Sequence, residues 1–343
     1  MPTTTTFRRR SSSSLAVIVV LTVAAGCSQN APKAATRTTT TTTTSQRSTT
    51  TSTIPSPWSA PSTAIDAAHP ISSLSCPIAT FCLALSTDGT SYRYDGTGWS
   101  AALSVTGAGP APTPEAADLS CGSPFFCMAV PGGNEVVKWN GTSWTSAQTL
   151  GGAQGLQALG CAGGSFCVTV DGEGDAYFYD GSWSSAVNAW GGPTDISCVD
   201  PSFCMATIGG TAQWNGSVWS QPQDVDTSGQ LETVSCPSTS FCVAGDSVGN
   251  VLAWNGTTWS VPQPVDPSPA GAPVGSHALA SVSCAAPTFC VAVDSGGNVV
   301  SFDGTTWSTP RDIDGATGLV SVSCASTTFC LAVDKLGRVL TYH

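Results

Sequence analysis

Hydrophobic and polar residues alternate along residues 58–343 in short segments that are bounded by Gly, Asn, Asp, Ser or Pro. Segments such as Phe289–Asp294 and Val299–Phe302 are rich in β-branched and aromatic residues, which is typical of strands. An Asp-Gly or Asn-Gly pair follows the aromatic residue, as at Asp303-Gly304, and predicts a tight hairpin because these residues tolerate positive φ. No stretch keeps the apolar period of an amphipathic helix. The pattern therefore predicts an all-β protein.

Cysteine pairs recur with the same period as the strands. The motif Cys-x5-Cys, with Phe directly before the second Cys, occurs seven times and uses fourteen of the fifteen cysteines. The pairs are Cys76/Cys82, Cys121/Cys127, Cys161/Cys167, Cys198/Cys204, Cys236/Cys242, Cys284/Cys290 and Cys324/Cys330. One unit of about forty residues holds four strands of about five or six residues with their turns. Seven units predict a seven-bladed β-propeller of four-stranded antiparallel blades.

The predicted ring needs one strand from the amino-terminal end of the domain. A Trp-Ser strand also occurs seven times, but Trp58 precedes the first Cys pair and the last pair is followed only by Leu331–His343. The segment Trp58–Asp66 is similar in sequence to Trp307–Asp314. We therefore expect Ser59–Ile65 to pair with the carboxyl-terminal strand. This arrangement resembles the ring closure of WD-repeat propellers, and it removes open sheet edges.

Each Cys pair is expected to form one disulfide in the hairpin between the first two strands of its blade. Directly opposed residues of an antiparallel pair bring their Cβ atoms into disulfide range. Zinc is the alternative, but its ligands favour two to four intervening residues and further Cys or His ligands. The predicted domain has His69, His277 and His343, and none of them lies in the repeated motif.

No metal and no cofactor is predicted. The acidic segment Asp171-Gly-Glu173-Gly-Asp175 invites a calcium interpretation, yet it lacks the spaced ligands and the terminal Glu of a calcium loop. Asp and Gly are also the residues that such a turn requires. The sequence favours a turn here.

The first residues have the pattern of an export signal. Arg8–Arg10 precede an apolar stretch, Leu15–Ala25, that is shorter than the roughly twenty residues of a membrane span. The segment Ala24-Ala25-Gly26-Cys27 resembles the bacterial lipobox, which implies cleavage before Cys27 and a diacylglycerol on its sulfur. An ordinary signal peptide with a free Cys27 is the alternative. We expect a signal peptide at 1–26, a lipidated Cys27 with a disordered Thr/Ser-rich stalk at 27–57, and the propeller at 58–343.

Charge divides at the same boundary. Residues 1–57 hold six basic and no acidic side chains, whereas residues 58–343 hold 22 acids against five bases, a net charge of −17. Such a domain repels phosphate backbones and anionic lipid, so no nucleic acid is an expected partner. Membrane contact is expected through the lipid anchor alone, at the outer leaflet of a bacterial cytoplasmic membrane and facing the cell wall. We expect a monomer.

A candidate ligand face lies where the units depart from the repeat. Trp190 is the only Trp outside the repeated motif, in a connection that would lie on one face of the ring around the channel mouth. Asp118, Asp195 and Glu232 are predicted near that end of three innermost strands. An aromatic beside carboxylates could stack on a sugar or bind a cation. The alternative is a loop Trp packed on its neighbours and carboxylates that face a wet channel.

Two functional hypotheses follow. The first is a non-catalytic binding or scaffold module that presents one face to a protein or a cell-wall glycan. The second is a glycoside hydrolase or lyase with paired carboxylates. The turn at Asp303-Gly-x-x-Trp307 resembles the Asp-box of sialidases, which also need an arginine cluster, and the predicted domain has Arg93, Arg311 and Arg338. A purely structural envelope protein is a third possibility.

The chain as a whole resembles exported repeat lipoproteins of high-GC Gram-positive (actinobacterial-type) bacteria. The resemblance rests on the Cys-x4-Phe-Cys and Asn-Gly-x-x-Trp-Ser units and covers residues 58–343. It implies the propeller fold and the tethered location, and it implies no particular activity.

Overall fold

The computed structural model describes residues 56–105, 118–268, 273, 275–315 and 317–343. The predicted signal peptide, Cys27 and the stalk up to residue 55 lie outside these residues. Among the residues that are described, no helix has the length and apolar character needed to cross a membrane.

The described chain forms seven antiparallel sheets, and within each sheet the strands are neighbours in chain order. The first three sheets comprise β1 (Ile71–Ile78), β2 (Phe81–Ser86), β3 (Thr90–Tyr94) and β4 (Leu103–Ser104); β5 (Asp118–Ser123), β6 (Phe126–Val130), β7 (Glu135–Trp139) and β8 (Gln148–Thr149); and β9 (Leu156–Ala162), β10 (Phe166–Asp171), β11 (Asp175–Asp180) and β12 (Val187–Asn188). The next two comprise β13 (Asp195–Asp200), β14 (Phe203–Thr207) and β15 (Thr211–Trp214); and β16 (Leu231–Ser238), β17 (Phe241–Asp246), β18 (Asn250–Trp254) and β19 (Gln263–Pro264). The last two comprise β20 (Leu279–Ala286), β21 (Phe289–Asp294), β22 (Asn298–Phe302) and β23 (Arg311–Asp312); and β24 (Leu319–Ser326), β25 (Phe329–Asp334) and β26 (Val339–Tyr342).

The sheets are the blades of the predicted seven-bladed propeller. The apolar core is divided into seven clusters, and each cluster lies between two neighbouring blades. One of them packs Ile71 and Leu74 of blade 1 against Leu331 and Val333 of blade 7, which closes the ring. The all-β fold of seven blades, with a buried interface on both faces of each blade, is confirmed.

The segment after the stalk runs beside the last strand. The Ser59 N–H donates to the carbonyl of Thr341 at 2.7 Å, and the Ile65 N–H donates to the carbonyl of Gly337 at 2.8 Å. Trp58 forms an antiparallel bridge with Tyr342. The segment contains this single bridge and no longer strand, so the fourth position of blade 7 is held by an extended, hydrogen-bonded segment.

All seven predicted disulfides are formed, one in each blade. Each joins the first strand of a blade to the second, as Cys161 in β9 and Cys167 in β10 do from directly opposite positions. The spacing of the motif therefore reflects the hairpin register.

The second cysteine of every pair lies in the core of the ring. Each of these seven residues is 0% exposed, because the second strand of a blade is covered by the neighbouring blades on both of its faces. They are Cys82, Cys127, Cys167, Cys204, Cys242, Cys290 and Cys330, and each is bonded to the first cysteine of its own blade. These predicted site residues are therefore structural cross-links, and none of them can contribute to a ligand-binding surface.

Buried aspartates end the second strand in four blades, as the sequence suggested for a turn. Asp171, Asp246, Asp294 and Asp334 are fully buried. In each, Oδ1 accepts the backbone N–H groups of the residues two and four positions later. At Asp171 the donors are Glu173 at 3.1 Å and Asp175 at 2.9 Å. This oxygen serves the turn, which confirms that interpretation of the acidic segment.

At six of the seven junctions between blades, a backbone N–H of one innermost strand donates to a serine hydroxyl of the preceding one. The Ser before the first Cys of a blade accepts the N–H of the first Cys in the next blade, at 2.9–3.0 Å. These Ser/Cys pairs, which we call the serine ring, are Ser323/Cys76, Ser75/Cys121, Ser120/Cys161, Ser197/Cys236, Ser235/Cys284 and Ser283/Cys324. The seventh position is Gly160, which has no side chain to accept.

The serine ring predicts the effect of a single hydroxyl. Ser235→Ala leaves the N–H of Cys284 without its acceptor and should lower the free energy of unfolding by about 1 kcal/mol, the usual contribution of such a bond. Urea denaturation with the disulfides intact measures this loss. The control, Ser185→Ala at an exposed position, should change stability by less than about 0.5 kcal/mol. Equal stability of the two variants would contradict the assignment.

Candidate functional site

The innermost strands of the blades surround a central cavity of about 420 Å³. Its wall is mainly hydroxyl and backbone, with four longer polar side chains. The polar side chains in the wall are Ser72, Ser73, Ser75, Asp118, Ser120, Gln157, Thr194, Asp195, Glu232, Thr233, Ser235, Ser281 and Ser321. The three acidic residues singled out in the sequence are therefore brought to one cavity.

Asp118 links its own blade to both neighbours. Its Oδ1 accepts the hydroxyl of Ser73 from blade 1 at 2.9 Å and its own strand's Leu119 N–H at 2.7 Å. Its Oδ2 accepts the N–H of Leu159 in blade 3 at 2.9 Å. Both carboxylate oxygens are thus used by the scaffold.

Asp195, two blades further on, makes the same kind of link to the following blade alone. Its Oδ1 accepts the N–H of Ile196 at 2.7 Å. Its Oδ2 accepts the N–H of Val234 at 2.8 Å and the hydroxyl of Thr233 at 3.0 Å, both from blade 5. In other blades a hydroxyl takes the same role: Ser73, Thr233 and Ser281 accept the equivalent N–H groups of Leu119, Val282 and Val322. These acceptors three positions before the Cys form a second ring.

The surroundings raise the pKa values of the cavity carboxyls. Burial raises the pKa of Asp118 to about 7, the negative charge of Asp195 acts in the same direction, and the hydrogen bonds that it accepts oppose both. Burial also raises the pKa of Asp195. For Glu232, burial and then the charge of Asp246 raise the pKa.

Trp190 belongs to the connection between blades 3 and 4. It follows β12 in the connection to blade 4, it is 48% exposed, and it is absent from the described wall of the cavity. Its backbone has a positive φ of 78°, and its N–H donates to Oδ1 of Asn188 at 3.2 Å. A Cβ at Gly174 would lie 2.2 Å from the N atom of Gly191, so the preceding turn packs tightly against this loop. Trp190 is therefore not among the residues that line the cavity with Asp118, Asp195 and Glu232.

A groove between blades 2 and 3 was not found by sequence reasoning. It has a volume of about 430 Å³ and is lined by residues that include Lys138, Tyr179 and Trp183. The Lys138 ammonium donates to the Tyr179 hydroxyl at 3.1 Å and lies 5.5 Å from the centre of that ring. In the sequence, Lys138 could have indicated this groove, because it is a lysine within a predicted strand of a strongly acidic domain.

Two described clusters place a histidine against two carboxylates, a donor set that metals can use. His69 Nδ1 lies 3.6 Å from Asp66 and 3.2 Å from Asp88. His277 Nδ1 lies 2.9 Å from Asp266 and 3.2 Å from Asp294. In both clusters the ring nitrogen Nδ1 already contacts the two carboxylates.

The sequence matches no protein-family model, and it matches no curated protein at a significant level. Solved structures resemble the fold. YCF48 bound to D1 peptide is 14% identical, with a TM-score of 0.64 over 83% of this chain and 96% of that one. The WD40 repeats of RRP9 are 10% identical, with a TM-score of 0.66 over 83% and 98%. YCF48 from Cyanidioschyzon merolae is 13% identical, with a TM-score of 0.60 over 83% and 98%. At these identities the similarity shows the seven-bladed fold alone.

The raised pKa of Asp118 predicts a pH dependence. A carboxyl whose pKa in the folded state lies above its ordinary value of 3.8 binds its proton more tightly when folded, so its stabilising contribution is present below about pH 4 and is lost as the pH rises through about 7. The stability of the wild type relative to Asp118→Ser should therefore fall between pH 5 and pH 8. The fall should be at least about 1 kcal/mol, since one pKa unit corresponds to about 1.4 kcal/mol.

Urea unfolding of both proteins at the two pH values measures this difference. Ser is the residue that Ser73 and Ser281 place in the same ring position, so the variant keeps an acceptor there. A difference that does not change with pH, or that changes in the opposite direction, would rule out a buried, proton-holding Asp118.

Proposed function

We propose that this protein is a non-catalytic binding module that holds a protein partner on the face that carries Trp190. A cell-wall glycan is the other ligand class that the sequence allows. The observation that carries the proposal is the conformation of Trp190, a large aromatic side chain that is half exposed on a backbone with positive φ.

Positive φ is unfavourable for a bulky residue, by about 1–3 kcal/mol, and it persists only where the surrounding structure imposes it. Among the described residues, Trp190 is the one residue other than Gly with this conformation. Exposure of an indole is unfavourable as well. Trp is also a residue that contributes strongly to binding energy at interfaces. A strained and exposed Trp is therefore well explained by a partner that covers it.

The use of the cavity carboxyls supports binding over catalysis. A glycosidase needs one carboxyl to donate a proton and another to act on the sugar or on water. Here Asp118 and Asp195 each accept three hydrogen bonds from the scaffold, and both oxygens of each carboxyl are engaged. In other blades the hydroxyls of Ser73, Thr233 and Ser281 accept the equivalent N–H groups. The two carboxyls are therefore explained by the hydrogen bonding between blades, without a catalytic role.

The structural neighbours add a limited argument. One of them is YCF48 in a complex with a peptide, so a propeller of this shape can hold a peptide segment. At 14% identity this neighbour does not indicate where a partner would bind on this chain. We base the position of the proposed binding face on Trp190 alone.

We further propose that the domain is exported and tethered. The basic start, the short apolar stretch and the small residues before Cys27 support a lipid-anchored protein at the outer leaflet of a bacterial cytoplasmic membrane. A stalk of about thirty residues would give the propeller a reach of roughly 30 Å as a flexible coil. The module would then meet its partner near the cell wall, as a monomer.

The lipid anchor is tested with an alkyne-labelled fatty acid in the native host. The wild-type chain should become labelled and should be recovered in the membrane fraction, while Cys27→Ala should carry no label. Ser28→Ala is the matched control and should be labelled as the wild type is. A wild-type chain without label would contradict the tether.

The binding face is tested with Trp190→Ala in the full chain. Partners are captured from envelope extracts, identified by mass spectrometry and confirmed with the purified partner by biolayer interferometry, and a glycan array tests the second ligand class. Trp190→Ala should weaken binding by at least about tenfold, because a Trp anchor typically contributes about 2 kcal/mol or more. Val261→Ala, at an 82% exposed site, is the control and should leave the affinity unchanged.

Binding that both variants retain equally would remove Trp190 from the interface and with it the proposed face. Turnover of a glycan that is lost in Asp195→Thr would favour the enzyme instead. Thr is chosen for this variant because Thr233 accepts the equivalent N–H group in its own blade, so the substitution keeps an acceptor at this position.

A further inference from the structure

Three consecutive blades contain the same buried pair of aspartates. One Asp precedes the innermost strand and the other ends the second strand of the same blade. The pairs are Asp226/Asp246 in blade 5, Asp266/Asp294 in blade 6 and Asp314/Asp334 in blade 7. All six side chains are at most 8% exposed, and in each pair a single polar side chain contacts both carboxyls, namely Ser228 in blade 5, His277 in blade 6 and Arg338 in blade 7. Two carboxylates in such a place require a balancing positive charge or a proton.

Blades 6 and 7 place a basic side chain between the two carboxyls. In blade 7 the Arg338 guanidinium donates through Nε to Asp334 and through Nη2 to Asp314, the latter at 2.8 Å. In blade 6 the Nδ1 atom of His277 lies 2.9 Å from Asp266 and 3.2 Å from Asp294. The repeat therefore shows that this position accommodates a basic side chain, which in blade 7 is the guanidinium cation of Arg338.

Blade 5 has oxygen and amide groups at this position. Asn250 follows Asp246 by four residues, as Arg338 follows Asp334. Its Nδ2 donates to Oδ2 of Asp246 at 2.6 Å and to the Ser228 hydroxyl at 3.1 Å. That hydroxyl in turn donates to Oδ1 of Asp226 at 2.6 Å. No Lys, Arg or His of the described chain forms an ion pair with either aspartate.

One oxygen in blade 5 remains unpartnered. Oδ2 of Asp226 is buried and accepts no hydrogen bond from the described residues, and the residue is 8% exposed. The matching oxygen of Asp314 in blade 7 also lacks a hydrogen bond, but Arg338 already balances the charge of that carboxyl. Glu232 adds a further negative charge in blade 5, since it is close enough for Asp246 to raise its pKa. Buried polar atoms almost always have a partner, so an unpartnered carboxylate oxygen in an acidic site calls for a ligand.

We propose that blade 5 binds a hard divalent cation of the calcium type between Asp226 and Asp246. Two carboxylates and a hydroxyl provide oxygen ligands, which Ca²⁺ prefers. Turning over the side-chain amide of Asn250 would direct its carbonyl oxygen at the ion in place of its N–H group. The bound ion takes the place that Arg338 and His277 fill in the neighbouring blades.

These residues do not form a calcium loop in sequence, since Asp226 and Asp246 are separated by the whole first hairpin of the blade. The fold alone brings them together, and for this reason the sequence predicted no metal. The proposal is independent of the partner-binding face. Its direct alternative is a single proton shared between the two carboxyls.

The test uses the purified full chain after treatment with EDTA. Thermal unfolding is followed while Ca²⁺ is added up to about 10 mM, which covers the affinities of about 10⁻⁴–10⁻³ M of extracellular calcium modules. The melting temperature should rise by several degrees and should saturate, and calorimetry should give one ion per chain. Mg²⁺ should have a much smaller effect, because it demands a more regular geometry and keeps its water.

Two variants and one control locate the ion. Asn250→Arg places a guanidinium in blade 5 at the position that Arg338 has in blade 7. This variant should have a higher melting temperature without Ca²⁺ and should show no further rise when Ca²⁺ is added. Asp246→Asn removes a ligand and should abolish the response as well. Asp294→Asn alters the equivalent pair in blade 6, where His277 already contacts both carboxyls, and should keep the full response.

A wild-type melting temperature that Ca²⁺ does not change would overturn the proposal. The proposal would also be overturned if the melting temperature of Asn250→Arg still rose with Ca²⁺, because the ion would then bind elsewhere. This result is decisive even if Asp246→Asn fails to fold. If Ca²⁺ has no effect but wild-type stability falls from pH 5 to pH 8 relative to Asn250→Arg, a shared proton occupies the site and the calcium assignment is wrong.

Discussion

Hydrogen bonds that backbone N–H groups of one blade donate to side-chain oxygens of the preceding blade hold the innermost strands of this propeller together. Within a blade the strands satisfy one another, but neighbouring blades share no ladder, and the N–H groups at their junction need acceptors. At six of the seven junctions the serine before a Cys supplies one acceptor, and at five of these the residue three positions before the Cys supplies the other. This requirement explains why Ser precedes Cys so regularly, and it explains the aspartates of the cavity in the same terms.

The junction of blades 3 and 4 departs from this rule. Ala158 and Gly160 occupy the two acceptor positions, and neither has a side chain that can accept. A Cβ at Gly160 would lie 2.9 Å from Cγ2 of Ile196 and 3.1 Å from Sγ of Cys198, so a serine would not fit there. Apolar packing takes over at this junction, where the rings of Phe178 and Trp214 are 4.2 Å apart. The loop that carries Trp190 connects these same two blades. The proposed binding residue therefore lies at the junction that lacks both of these hydrogen-bond acceptors.

The repeat made the architecture readable from the sequence. Seven Cys pairs and seven Trp strands determine the number of blades, and the hairpin register follows from the Cys spacing. The contacts between blades could not be read in this way. Aligning the units places Asp118 and Asp195 at one position, but it does not say that this position faces an N–H group of the next blade. The buried pair of Asp226 and Asp246 was hidden for a similar reason, because the connections between blades vary in length.

Amide hydrogen exchange at the first Cys of each blade tests the interblade bonds most directly. With the disulfides intact, the N–H groups of six of these residues should exchange slowly, because each donates to a serine of the preceding blade. For Cys198 the equivalent acceptor position is occupied by Gly160, so its N–H should exchange about tenfold faster or more, as the loss of about 1.4 kcal/mol of protection implies. Uniform protection of all seven, or rapid exchange at the six serine-bonded positions, would contradict the account.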